Sequence, residues 1–214
     1  MLPDLQIKVL VGCVLLVLAI VSLVQGHALE PKDLISASSY AVTTLGFVLL
    51  LWDRWLWSWP VFHSWLSKRP DLRGTWKGEL LSDYIDPATK QERPAIQVYL
   101  VVRQTNSNVD VRLFSADSSS ISLSGNIISD RVGVNTLSVT YRNEPSLFKR
   151  DKSPIGYGGM LLNIRGKRVH KLDGEYWTDR LTRGQLTFTM HSSSAGHDFE
   201  QASKLKYQSL VGGS

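Results

Sequence analysis

The pattern of the chain changes abruptly at Lys68-Arg69-Pro70. Two long apolar runs precede that point. After it, apolar and polar residues alternate over most of the remaining length, interrupted by turn residues. An unbroken apolar run predicts a membrane helix, whereas period-two alternation predicts strands with one face buried. The chain therefore reads as residues 1–67, two transmembrane helices and a short linker, followed by residues 68–214, an all-β domain.

The first run, VLVGCVLLVLAIVSLV over Val9–Val24, carries no charge and predicts a helix over about 5–25, close to the length that spans a hydrocarbon core. A cleavable signal peptide would have a shorter apolar core and a more basic amino terminus than Lys8 alone supplies. The second run predicts a helix over about 34–59. Ser36, Ala37, Ser38, Ser39 and Gly46 are small enough for close helix approach. Trp52, Trp55, Trp57, Trp59 and Trp65 crowd its exit, as indoles do at a headgroup interface. The residues joining the runs, Gln25 to Asp33, hold one basic residue, Lys32, whereas Arg54, Lys68, Arg69 and Arg73 follow the second run. The positive-inside rule then predicts a two-helix hairpin with both termini and the β domain in the cytoplasm. The single cysteine, Cys13, excludes an intrachain disulfide framework, which accords with a reducing compartment.

The alternation predicts eight strands: Arg73–Ser82, Ala95–Arg103, Val109–Phe114, Ser120–Ile128, Val134–Arg142, Gly156–Ile164, Val169–Thr178 and Gly184–His191. Short turns between sequential strands point to an eight-stranded up-and-down antiparallel β-barrel, lipocalin-like, which leaves no unpaired edge. The inward positions are mostly apolar. They include Ile121 and Leu123 on the fourth strand and Leu186, Phe188 and Met190 on the eighth. No wide cavity with polar groups deep inside is expected, and a polar ligand would sit near one mouth.

The net charge is +5, and the excess sits in the segment from Lys68 onward, where 21 basic residues face 15 acidic ones, or +6. A basic surface favours anionic partners, although solubility alone also accounts for an excess of this size. Chain direction separates the two mouths. Turns near the entry of the first strand carry Arg103, Arg131, Arg165, Lys167 and Arg168, which suit anionic headgroups. The far loops carry Lys90, Arg93, Lys149, Arg150, Lys152, Arg180 and Arg183. Tyr141, Tyr176 and Thr178, with Ser82, are the polar inward positions nearest that far mouth, and Thr182 lies in the adjoining turn. Tyrosine rings stack on bases, hydroxyls bond base edges or phosphate, and arginine pairs phosphate bidentately. The candidate ligand-binding residues are therefore Tyr141, Tyr176, Thr178, Arg180 and Thr182. The same residue types are ordinary in strands, and Arg180 suits a loop-capping role equally well.

Catalytic patterns are missing. His170, His191 and His197 lack metal-ligand spacing. Ser118-Ser119-Ser120 lacks the strand-to-helix turn of a nucleophile elbow, and Asp173 and Glu175 share an outward face. The chain is expected not to be an enzyme and to need no metal or cofactor.

Leu72-Arg73-Gly74-Thr75-Trp76-Lys77-Gly78 resembles the Gly-x-Trp opening of lipocalin-like barrels. Together with the two apolar runs, Pro70, and the stretch Gly174-Glu175-Tyr176-Trp177-Thr178-Asp179-Arg180-Leu181-Thr182-Arg183-Gly184, it resembles one bacterial family over nearly the whole chain. This is the two-transmembrane, β-strand-rich effector of CBASS antiphage operons, CD-NTase-associated protein 15. The resemblance implies a STING-like receptor role. A partner nucleotidyltransferase makes a cyclic di- or oligonucleotide on infection and the barrel binds it. The proteins then self-associate, and the helices disrupt the inner membrane in abortive infection. No DNA or RNA partner is implied. The apolar interior supports a different reading, a membrane-anchored lipocalin-like lipid-binding or carrier protein. A third is a structural membrane protein whose barrel docks a protein partner.

Overall fold

Pro70 opens the β domain because side chains hold the chain on entry. In a computed structural model, Gln104 Nε2 donates to the Pro70 carbonyl and Leu72 N–H donates to Gln104 Oε1, both at 2.9 Å. The Leu72 carbonyl accepts from the Trp76 indole at 2.9 Å. Gln104, Leu72 and Trp76 are buried, so these bonds satisfy backbone groups that water cannot reach. The structure describes residues 11–12, 15–16, 19–20, 23, 31–63, 69–85, 90–91, 94–147, 153–166 and 168–210. It divides into two compact units, Met1–Arg69 and Pro70–Ser214.

In the first unit, the described positions between 11 and 23 are helical, and the rest of the predicted first helix lies outside the described residues. Helix α1 spans Pro31–Arg54, followed by a 3-10 turn, Leu56–Ser58, and a short helix α2, Pro60–His63. Among the described residues no helix is long and apolar enough to cross a membrane. The second helix was expected to run to about Trp59, but it stops at Arg54. Trp55 leaves helical backbone at φ −136°, a 3-10 turn carries the chain on, and Trp59 is extended, with ψ 140°, because the ring of Pro60 disfavours helical backbone in the residue preceding it. The tryptophans divide accordingly. Trp57 is buried in the turn, Trp55 and Trp59 are exposed, and Trp65 lies outside the described residues.

In the second unit, eight strands follow in chain order: β1 Gly74–Ser82, β2 Ile96–Gln104, β3 Val109–Phe114, β4 Ser118–Ser129, β5 Asn135–Pro145, β6 Gly156–Arg165, β7 Lys171–Thr178 and β8 Arg183–Ser192. Each pairs antiparallel with the next, and β1 also pairs with β8. This is the expected closed, up-and-down eight-stranded antiparallel barrel. A two-residue strand β9, Gln208–Ser209, adds to the end of β8.

Two bulges correct the predicted inward faces. Register shifts in β4 between Ser122 and Ser124, so Leu123 is the extra residue and is 58% exposed, while Ser120 and Ser122 turn inward ahead of it. Ile121 pairs with Arg112 on the outer face. On β8, Gly78 pairs with Phe188 but Lys77 pairs with Met190, which places Met190 on the outer face. Sequence alternation carries no mark of the added residue, so the phase inverts unseen.

The C-terminal segment forms a helix that strand patterning did not reveal, α3, Phe199–Lys204. The Asp198 side chain caps it by accepting from Gln201 N–H at 2.7 Å, and Gln201 Oε1 accepts from His197 N–H at 3.3 Å. Phe199, Ala202 and Tyr207 pack on Tyr99, Val101 and Phe114, covering apolar residues on the outer face of β2 and β3. Burial pushes the Tyr99 and Tyr207 hydroxyls above the ordinary phenol range.

The barrel is filled at one end only. Trp76, Leu100, Val102, Leu137, Leu162, Ile164, Leu172 and Phe188 close the half where β1 begins. Replacing Gln104 by alanine strands the Leu72 amide and the Pro70 carbonyl, and the expected loss is about 1–3 kcal/mol, read from the denaturant midpoint of barrel unfolding.

Candidate functional site

The other half holds a cavity of about 870 Å³. Leu80, Val98, Met160 and Leu186 give it apolar lower walls. Tyr141, Tyr176, Thr178, Arg180 and Thr182, the five candidates from sequence, all line it. The cavity is wider than the apolar alternation suggested, but its polar groups do gather toward the mouth. Its lining also includes Tyr84, Ser115, Asp117, Ser118, Ser120, Asn143 and Ser153, which were not singled out as ligand contacts. Ser118 and Ser120 escaped because the β4 bulge hides their inward phase. Asn143 follows from continuing β5 two residues past Tyr141.

Two glycines make room for the two tyrosines. A Cβ on Gly158 would lie 2.6 Å from the Tyr141 hydroxyl and 2.4 Å from the Trp177 carbonyl. A Cβ on Gly184 would lie 2.7 Å from Tyr176 Cε1 and 1.9 Å from the Leu81 carbonyl. Both glycines face inward one strand away from a ring, so each ring lies flat along the wall instead of crossing the barrel. The Tyr141 hydroxyl donates to the Trp177 carbonyl at 3.3 Å. Burial and the neighbouring Tyr176 push its acidity below that of a free phenol, with Arg180 pulling the other way, so it stays a protonated donor.

The β7–β8 turn fixes the remaining candidates. Thr178 N–H donates to the Thr182 carbonyl at 2.9 Å, and the two threonine hydroxyls bond at 2.6 Å. Leu181, between them, adopts φ 61° and is almost fully exposed. A branched residue with positive φ is strained, and such strain concentrates at functional turns. Asp179 anchors the turn to β6: its carboxylate accepts from Tyr157 N–H at 2.9 Å, and its N–H donates to the Tyr157 carbonyl at 2.8 Å. Arg180 Nη1 donates to Ser153 Oγ at 2.6 Å, holding the guanidinium beside the mouth. A further clasp joins β1 to the same turn. Arg183 N–H and Nε donate to the Asp83 carboxylate at 2.9 and 3.1 Å, and the backbone bond, with the guanidinium, keeps that carboxyl below its ordinary range.

The cavity thus combines stacking surfaces, fixed hydroxyls and a guanidinium above an apolar floor. The family model for the Cap15 cyclic dinucleotide receptor domain matches residues 67–190. The chain belongs to the Cap15 family. A curated relative, CD-NTase-associated protein 15 of Staphylococcus schleiferi, is 31% identical over 148 residues, 69% of this chain and 75% of the relative. The Cap15 match spans the barrel from β1 to Met190, so every residue lining the cavity lies within it. Helix α3 and strand β9 lie beyond the matched Cap15 domain.

Gly158→Ala tests the packing of Tyr141. The contact with the Trp177 carbonyl cannot be relieved by a side chain moving, so a loss of about 1–3 kcal/mol is expected in thermal or denaturant unfolding. The Tyr141 ring resonances should shift in NMR spectra of the same variant.

Proposed function

We propose that the chain is a non-enzymatic CBASS effector whose barrel binds a cyclic dinucleotide in the cavity at its open mouth. The observation that carries this reading is the convergence of Tyr141, Tyr176, Thr178, Arg180 and Thr182 on one cavity within the matched receptor domain. A cyclic dinucleotide is a compact dianion with two flat bases. Its bases suit the tyrosine faces and the apolar walls, and its phosphodiesters suit Arg180 and the threonine hydroxyls. The cavity volume falls in the ordinary range for enclosing a ligand of several hundred daltons.

Binding at the mouth is proposed to drive self-association of the barrels, and the helical unit then disrupts the bacterial inner membrane. What supports the membrane step is the apolar surface of α1, where Tyr40, Val42, Phe47 and Leu50 are each at least 60% exposed. Apolar side chains this exposed are costly in water and find their partners in lipid or in other helices. The apolar lower walls also suit a lipid tail, the carrier reading, which the same experiments separate.

The full chain in detergent micelles, titrated calorimetrically with cyclic di- and trinucleotides, should bind at least one of them saturably. Arg180→Ala should weaken that binding about tenfold, the worth of one charge-assisted hydrogen bond, without lowering the melting temperature. Retention of a copurified lipid with no nucleotide binding would support the carrier instead. Reconstituted into dye-loaded liposomes, the protein should release dye only when the nucleotide is added. Ligand binding without release would remove the membrane step.

A further inference from the structure

Phosphate recognition does not account for the whole mouth. Asp117 lines the same cavity as Arg180, and a carboxylate repels a phosphodiester. Four loops ring the open end in strand order: β1–β2, β3–β4, β5–β6 and β7–β8. Loops two steps apart in that ring face each other. The β3–β4 loop with Asp117 therefore stands across the mouth from the β7–β8 turn with Arg180. A ligand lying across the cavity meets a cation at one end and an anion at the other.

The β3–β4 loop is built to hold its shape. Ser115 N–H donates to the Ser118 carbonyl at 2.9 Å, and Ser118 N–H donates to Ser115 Oγ at 3.0 Å. The Asp117 carbonyl accepts from Ser146 N–H at 2.9 Å, tying the loop to the end of β5. Asn143 on β5 also lines the cavity and pairs with Ser120. Ser120 Oγ donates to Asn143 Oδ1 at 3.0 Å, which occupies the amide oxygen and leaves the amide nitrogen as the donor. This wall of the mouth thus offers acceptors on Asp117 and a donor on Asn143.

We propose that this pair selects a guanine base, so that the ligand is a guanine-containing cyclic dinucleotide and Asp117 determines its specificity. The proposal rests on the receptor reading above. Guanine presents two adjacent donors on its Watson–Crick edge, N1–H and the N2 amino group, followed by the O6 acceptor. Two carboxylate oxygens match the two donors, and the Asn143 amide matches O6. Adenine presents one amino donor beside the N1 acceptor, which sets a lone pair against the second carboxylate oxygen. Uracil presents one N–H between two carbonyls. Each wrong base leaves the carboxylate facing an acceptor, and that rejection is where selectivity arises. A carboxylate has about four acceptor positions, so other bonds made by Asp117 leave room for a base edge. The opposite end of the ligand then brings a phosphodiester to Arg180.

The full chain in micelles should be titrated with cyclic di-GMP, cyclic GMP-AMP, cyclic di-AMP and cyclic di-UMP, with thermal melting run alongside. The wild type should bind the two guanine ligands most tightly. Asp117→Asn should weaken both by about tenfold or more, while the adenine-only and uracil-only ligands change by less than about threefold, because only the former lose a bidentate pair. Asp117→Ser, which continues the serine-rich loop, should act in the same direction and serves if the first variant melts early. Tighter wild-type binding of cyclic di-AMP or cyclic di-UMP would overturn the base assignment and leave the receptor reading standing. Equal weakening of all four ligands by Asp117→Asn would make the carboxylate a loop-positioning group and would equally overturn it. No binding of any cyclic nucleotide by the wild type removes both readings.

Discussion

Everything in the β domain depends on β1 pairing with β8. That pairing closes the sheet, removes both exposed edges and gives the inward side chains a fixed volume to fill. The volume is filled unevenly. Large residues, with Trp76 and Phe188 foremost, occupy the end where the chain enters, and the opposite end carries shorter or polar side chains at the same inward phase. The bulge on β8 belongs to the same closure: it lets β8 match β1 on both sides of Lys77–Gly78 while changing the face of the residues beyond it.

The open half is organised by small residues as much as by polar ones. Gly158 and Gly184 give up packing area to seat Tyr141 and Tyr176 against the wall. The turn after β7 gives up backbone comfort at Leu181 and is held in place by Asp179 on one side and by the Asp83–Arg183 clasp on the other. Both expenditures fall within a few residues of the proposed phosphate contact. The glycines and the strained turn gather where a ligand would be held, whereas the β8 bulge serves the closure of the barrel.

Much of this was legible in the sequence, and the failures have physical causes. Alternation located all eight strands to within about three residues at each end, because one face of most strands is buried and the other is wet. It placed Tyr141, Tyr176 and Thr178 correctly as inward residues, since no bulge intervenes on β5 or β7. It failed on β4, where one extra residue reversed the phase and concealed Ser120, and on Met190 for the same reason. Asp117 is a loop residue, and loops have no periodicity to read. Helix α3 is too short for a helical period to register, though Asp198 and Gln201 form a capping pattern, and the apolar outward pair Tyr99 and Val101 signals a cover. Pro60 was visible as well, and it accounts for the extended Trp59, but the break at Trp55 that ends α1 lies inside the apolar run and carries no such mark.

The grip of Gln104 on Pro70 and Leu72 has a mechanical consequence. A pull on the chain ahead of Pro70 does not act on the first hydrogen bond of β1. It acts first on the bonds from one buried side chain to two backbone groups, and then on the Trp76 indole behind them. The two Gln104 bonds meet at one side chain and share the load, whereas the rungs of a strand edge can be unzipped one at a time. The barrel is therefore anchored against force at its point of entry, and tension there reaches the packed end of the core before it can peel a strand.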